Sequence, residues 1–270
     1  RNWGWEEMWN LMLSDRSFPG SPPEAIFERA AGIGIPYLLM HDKHLRPSRK
    51  RRLGLWGGRD MEDWDGVSQW AEKLDYSRQR LHALRFERLR SGVRLGGWAI
   101  APCSPRSGDA SRVRRYMLTA AAAAAFLGAR GLLLEGIEHW ELDEAVNFIQ
   151  HVLPAITSLR LTLWLRLPVT SSFLFELPRR FVAAVRPWIA LDLETVLPTD
   201  FRSLWEAISI STSMVLFRYE PGFLEWWEQV GHPILKHAGF VGELVVTFPE
   251  IWGEEWKLWK RWAQEHRLLP

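Results

Sequence analysis

Apolar residues along the chain alternate between two textures. Short runs in which nearly every position is apolar, such as "YLLM", "GLLLEG", "LTLWLRLP" and "WIALDLET", are separated by longer stretches whose apolar residues recur every three or four positions. The short runs read as strands buried on both faces and the longer ones as amphipathic helices. Eight of each are predicted. The strands end near Ser14, Met40, Ala101, Leu134, Leu165, Leu191, Phe217 and Val246. The helices fall near Pro22–Ala31, Met61–Arg90, Ser111–Leu127, Asp143–Leu159, Phe173–Val185, Asp200–Ile208, Phe223–Ala238 and Glu254–His266.

Chemical punctuation supports that division. Ser111, Asp143 and Asp200 suit helix N-caps, and Gly32, Gly92, Gly128 and Gly239 stand where a left-handed residue would stop a helix. Strands of this kind separated by helices imply a parallel sheet covered on both faces, and eight βα units in about 250 residues fit a closed (β/α)8 barrel, a TIM barrel. The rival, an open doubly wound sheet, would carry a glycine-rich phosphate turn after its first strand. "LSDRSFPGSPPE" has no G-x-G-x-x-G. With no linker or repeat, residues 1–270 read as a single domain.

Composition narrows the function classes. A chain of 270 residues with 47% hydrophobic and 24% charged residues forms a real core, and a net charge of +2 gives no global field that would select nucleic acid or a membrane. The apolar stretches are too short to span a bilayer. Cys103 is the only cysteine, which excludes an intrachain disulfide or a thiolate zinc site and suits a reducing cytoplasm. The chain opens on Arg1 rather than methionine, as expected of a start that has been trimmed or processed.

In a barrel, chemistry belongs at the carboxyl ends of the strands. Polar residues gather there: Asp15 and Arg16, His41 and Asp42, Cys103 and Ser104, Glu135, Glu138 and His139, Arg166, Asp192 and Glu194, Arg218 and Glu220, then Thr247 and Glu250. Buried charge is costly unless paired, so so many charges on so many strands imply a polar funnel.

The pattern resembles the xylose isomerase-like TIM barrels, a superfamily of sugar-phosphate isomerases and epimerases that also includes endonuclease IV. The likeness runs along nearly the whole chain, through "WNLMLSDRSFPGSPPEAIFERAAGIGIPYLLMH", "AAAFLGARGLLLEG" and "RPWIALDLET". The resemblance implies a divalent metal held by acids on strands 5, 6 and 8 and a histidine on strand 7. Asp192 matches the strand 6 aspartate. Arg166, Arg218 and Thr247 stand where the others belong, with Glu250 a few residues too late and Thr195 where a histidine often follows the strand 6 aspartate in that family. Arginine stays protonated and has no lone pair to donate, so the metal ligands look lost and neither metal nor other cofactor is expected.

The cations expected to face Asp192 and Glu194 are therefore Arg166 and Arg218, either as a structural charge cluster or as a site for a ligand. Candidate catalytic groups are Glu135, Asp192 and His41 as bases; Arg166, Arg218, Glu194, Arg16 and Glu250 are candidate substrate contacts. Two functions follow: a non-catalytic, ligand-binding relative, or a metal-independent isomerase or epimerase of a sugar or sugar phosphate. "HDKH" offers a weak metal alternative, because His41 and His44 fall on opposite faces of a strand. The loop Lys43–Arg52 is strongly basic, which suits a phosphorylated ligand or a solvated loop. It lacks the interleaved aromatics of a nucleic-acid surface, so nucleic acid is not expected as a partner. Among the seventeen tryptophans, Trp252, Trp256 and Trp259 share a helix face. Adjacent Trp226 and Trp227 cannot share one, so an exposed indole, and a homodimer contact through it, is expected there.

Overall fold

The apolar runs become strands, and each is followed by a helix that covers it. The computed structural model describes residues 9–42, 74–102, 104–106, 110–182, 185–220, 222–249 and 254–265. Strands β1 (Trp9–Ser14), β2 (Tyr37–His41), β3 (Arg94–Ile100), β4 (Gly131–Leu134), β5 (Thr162–Pro168), β6 (Trp188–Asp192), β7 (Thr212–Arg218) and β8 (Gly242–Thr247) pair in parallel in chain order. β1 also pairs with β8, which closes the barrel.

Helices follow as α1 (Pro23–Gly32), α2 (Leu74–Ser91), α3 (Ala110–Phe126), α4 (Leu142–Ser158), α5 (Phe173–Glu176) and α6 (Phe201–Ile208). The next, α7, runs through Phe223–Trp226, a π turn over Trp227–Gly231 and His232–His237; α8 is Glu254–Glu265. No described helix is long and apolar enough to cross a membrane.

Several boundaries differ from the sequence expectation. Asp200 caps α6 by accepting from the Ser203 N–H at 3.0 Å, but Asp143 is the second residue of α4, whose cap position is Glu141, and Ser111 lies inside α3. Gly92, Gly128 and Gly239 adopt positive φ as expected, whereas after α1 that role belongs to Gly34 rather than Gly32. The expected helix Phe173–Val185 stops at Glu176. Pro178 cannot donate to the turn before it, and only a 3-10 turn, Pro178–Arg180, follows. The part of the second helix at 61–73 and Trp252 lie outside the described residues.

Two apolar layers hold the fold. Side chains pointing outward from the strands meet the helices in a large core, while Met12, Leu39, Ala99, Leu133, Trp164, Ala190, Met214, Leu216 and Val245 fill the barrel itself. Trp164 occupies so much of that interior that its neighbours must be small. A Cβ at Gly131 would lie 2.2 Å from its ring and one at Gly97 3.6 Å from it.

Tryptophans are mostly core. Trp227 is fully buried, Trp256 and Trp259 are buried on the shared face, and Trp226 is half-buried against Phe201 and Phe223. Among the described residues no tryptophan is exposed, so an exposed indole for a dimer contact is not found there.

At the amino end of the barrel, Glu243 is buried beside Arg130, whose Nη1 donates to its Oε1 at 2.8 Å; Asn10 and Tyr37 complete the cluster. Burial outweighs the arginine and the Asn10 hydrogen bond, and raises the Glu243 carboxyl from 4.5 to about 7. A carboxyl raised on folding binds a proton in the folded state that the unfolded chain has released. Its contribution to stability is therefore lost as pH rises from the unfolded value through about 7. Wild-type stability is expected to fall by up to roughly 3 kcal/mol over that interval from this group. In Glu243→Gln the fall should be reduced by that amount; urea melts at pH 5 and pH 8 check it, and an unchanged pH slope in the variant would refute it.

Candidate functional site at the carboxyl ends of the strands

Side chains alternate along a strand, so the residue two positions beyond each inward-facing apolar side chain also faces the barrel axis. Beyond Met12, Leu39, Leu133, Trp164, Ala190 and Val245, those residues are Ser14, His41, Glu135, Arg166, Asp192 and Thr247. The layer above the apolar plug is thus polar on six strands at once.

Arg166, projecting from β5, is its centre. Nε donates to Asp192 Oδ2 at 2.8 Å, Nη1 to Glu135 Oε1 at 2.5 Å and Nη2 to Glu194 Oε2 at 2.6 Å, so each nitrogen is committed to a different carboxylate. All four side chains are nearly buried, between 9 and 13% exposed. Glu194 also accepts from the Thr247 hydroxyl at 2.6 Å, and its own N–H donates to Asp192 Oδ1 at 2.8 Å. Burial disfavours the Arg166 charge, but Glu194, Asp192 and Glu135 together push its pKa up still further.

A second layer leans on the first. Arg16, in the 3-10 turn after β1, reaches Glu135 at 3.1 Å and Glu194 at 3.7 Å from the solvent side, where it is 38% exposed. Asp15, fully buried, accepts from the His41 backbone N–H at 3.0 Å and binds Nδ1 of the same imidazole at 2.5 Å. His41 Nε2 lies at ion-pair distance, 3.4 Å, from Glu135 without a directed hydrogen bond. Burial works against a charged imidazole, yet Asp15 and Glu135 outweigh it and raise its pKa above 6.5. Burial likewise opposes ionisation of Glu135, but His41, Arg166 and Arg16 hold its carboxyl down at about 2. Asp42, next along, accepts from the buried Tyr116 hydroxyl.

The structure therefore brings together Glu135, Asp192, His41, Arg166, Glu194 and Arg16. Arg218 is a correction: it turns outward, exposed, with Nε 3.3 Å from Glu220, and makes no described contact with Asp192 or Glu194. It is the last residue of β7, where a guanidinium stays hydrated, and Arg166 already supplies the donors those carboxylates need. Glu250, Cys103, His44 and the basic loop Lys43–Arg52 lie outside the described residues. Asp15 and Thr247, placed by the sequence among the polar residues at the strand ends but not among the candidate catalytic or substrate-contacting groups, join the cluster. The role of Thr247 was legible from its in-facing register; that of Asp15 was not, because a turn re-aims its side chain. A separate groove of about 420 Å³, walled by Trp188, Trp205 and Phe240, opens at the strand starts and shares no residue with this cluster.

Fold and site together define a (β/α)8 barrel with a charge-compensated carboxylate cluster at the carboxyl ends of its strands. The solved structures that it is similar to are xylose isomerase-like barrels. An AP endonuclease of family 2 from Brucella melitensis superposes with a TM-score of 0.66 at 14% identity, covering 95% of this chain and 98% of that one. D-allulose 3-epimerase from Methylomonas sp. gives 0.63 at 10% identity, covering 96% and 98%. A xylose isomerase domain-containing protein from Salmonella typhimurium gives 0.57 at 12% identity, covering 96% of each. At such identities the likeness is one of fold. No protein-family model and no curated protein sequence matches the chain.

Proposed function

We propose that this barrel is a non-catalytic, ligand-binding relative of the sugar isomerases and epimerases, with its charged mouth as the binding end. The observation that carries the reading is that Arg166 engages three separate carboxylates through its three nitrogens. A general base must hold a free lone pair on a group whose pKa lies near the working pH. Glu135 is a poor base at about 2, and Asp192 and Glu194 have turned their oxygens onto a guanidinium. A D-allulose 3-epimerase among the similar structures supports a sugar as the ligand class, and the strand ends are where a barrel of this kind would take it.

A second reading, a metal-independent isomerase or epimerase, is favoured by one feature. Asp15 orients His41 in the manner of an acid–base pair, with Nε2 toward the mouth. One experiment separates the two. The protein is incubated with D-fructose and D-allulose in D2O, with thermal melting to detect binding and proton NMR to detect exchange at carbon. Stabilisation without deuterium uptake is expected. Deuterium uptake that disappears in His41→Gln or Glu135→Gln would transfer the assignment to the enzyme, and absence of any stabilisation by these sugars and their phosphates would refute a sugar site.

A further inference from the structure

The groove at the strand starts has the make-up of a small-molecule site and lies outside the function proposed above. It holds about 420 Å³, within the range of ligand pockets. Its walls come from four stretches of chain: Trp188 at the start of β6, Trp205 in α6, the stretch around Ile210 that leads into β7, and residues Ala238 to Val241 before β8. Two donors at these walls lack acceptors. Trp205 Nε1 is buried without a hydrogen-bond partner, in a residue only 3% exposed. Arg186 Nε is likewise buried without one, although its Nη2 donates to the Ile210 carbonyl at 2.7 Å and its guanidinium lies over the Trp188 ring, 4.8 Å from the centroid. That guanidinium thus touches two residues of the groove wall. Charge there is one-sided: among the described residues Arg186 forms no ion pair and no carboxylate lines the groove. A buried donor without an acceptor is costly, and the acceptor that best answers a guanidinium is an anion.

We propose that this groove binds a planar aromatic carboxylate, with its ring against Trp188, Trp205 and Phe240 and its carboxylate on Arg186. Aromatic walls favour a flat ring through offset and edge contacts, the geometry in which Trp205 and Phe240 already meet at 5.3 Å. The carboxylate gains charge-assisted hydrogen bonds from a guanidinium that the Ile210 carbonyl and the Trp188 ring hold in place, so little side-chain freedom is lost on binding. Ile210 and Val241, apolar lining residues that are 76% and 57% exposed, would be shielded by the ring. Ser213, another lining residue, accepts from Trp164 Nε1 at 3.1 Å, which backs the groove with the filled barrel interior.

The test is isothermal titration calorimetry with naphthalene-2-carboxylate, its uncharged amide and cyclohexanecarboxylate. The aromatic acid is expected to bind roughly tenfold more tightly than either comparator, because each lacks one of the two features the groove selects. Arg186→Gln should weaken the acid roughly tenfold and leave the amide unchanged. Trp205→Phe, which keeps a ring and deletes the N–H, should weaken both aromatic ligands by about threefold to fivefold. Ile210→Glu changes a side chain that is already in solvent, so it should fold as wild type does and repel the acid alone. An excess of D-fructose should not displace the acid. Absence of binding at millimolar acid, equal affinity for acid and amide, an acid affinity unchanged in both Arg186→Gln and Ile210→Glu, or displacement by D-fructose would overturn the proposal. The groove shares no residue with the Arg166 cluster, so a failure of sugar binding at the mouth leaves this result untouched, and the reverse also holds.

Discussion

Arg166→Leu is expected to lower the free energy of unfolding at pH 7 by about 3–5 kcal/mol, among the largest effects of any single substitution in the protein. Leucine fills much of the same volume, so the loss comes mainly from charge: Glu135, Asp192 and Glu194 are left nearly buried, with Arg16 and His41 the cationic groups near them among the described residues. Stranded carboxylates rise in pKa when the folded state cannot hold their charge, and the variant should recover stability as they take up protons. Wild type has the opposite habit. Its Glu135, held at about 2, contributes stability above the ordinary carboxylate range that is lost only as pH falls through its folded value. The gap between the two proteins should therefore narrow as pH falls from 7 to about 5. Adding Glu135→Gln, Asp192→Asn and Glu194→Gln to Arg166→Leu should restore most of the loss at pH 7, since a buried charge cluster is often matched by neutral groups of the same shape. Urea denaturation of the three proteins measures both effects. A gap under about 1 kcal/mol at pH 7, or one that does not change with pH, would mean that solvent rather than Arg166 compensates the acids.

The contrast between Arg166 and Arg218 shows what the sequence could and could not reveal about this site. Both follow an inward-facing apolar residue by two positions, and both stand next to β6, so register alone assigns them to the same task. β5, however, runs on beyond its expected end at Leu165 through Pro168, which keeps Arg166 inside the ladder and fixes its direction. Proline is tolerated there because it lies at the strand end, where a missing N–H costs little. Arg218 is also in register, opposite Thr247, but it is the terminal residue of β7 and its guanidinium is exposed beside Glu220 rather than facing the carboxylates. The eight βα units were legible for a simpler reason: strands covered on both faces must be apolar throughout, and that texture survives any loop.

Asp15 illustrates the opposite failure. By strand alternation from Met12 and Ser14 it belongs on the outer face, but the 3-10 turn Asp15–Ser17 swings it back under His41, where it is fully buried. Ser14 caps that turn by accepting from the Arg16 N–H at 3.3 Å, and the same turn puts Arg16 over Glu135 and Glu194. One short turn thus sets two members of the cluster. The chemistry of the mouth depends on geometry of a few residues that period and propensity do not encode.

The second large effect lies one layer below the site. Gly131→Ala is expected to cost about 3 kcal/mol, the upper part of the usual range for overpacking, although it adds a single methyl group. The new Cβ would stand 2.2 Å from Cζ3 of Trp164 and 2.5 Å from the backbone oxygen of Thr162, the residue that faces Gly131 across β4 and β5. The indole cannot retreat easily, because its own Nε1 donates to Ser213 at 3.1 Å and Gly97 and Leu39 border the same space. Trimming the ring in Trp164→Leu would relieve the first clash and leave the second, so the double variant should be more stable than the sum of the two single losses by about 1 kcal/mol and still below wild type. Gly34→Ala separates packing from backbone conformation. That glycine has φ 82° with open space around it, and alanine there should cost only about 1 kcal/mol, through the left-handed backbone alone. Urea denaturation of the four variants gives the comparison. If Gly131→Ala came within about 0.5 kcal/mol of wild type, or were strictly additive with Trp164→Leu, the interior would be looser than a filled barrel, and the floor on which Arg166 and its carboxylates are assembled would not be rigid.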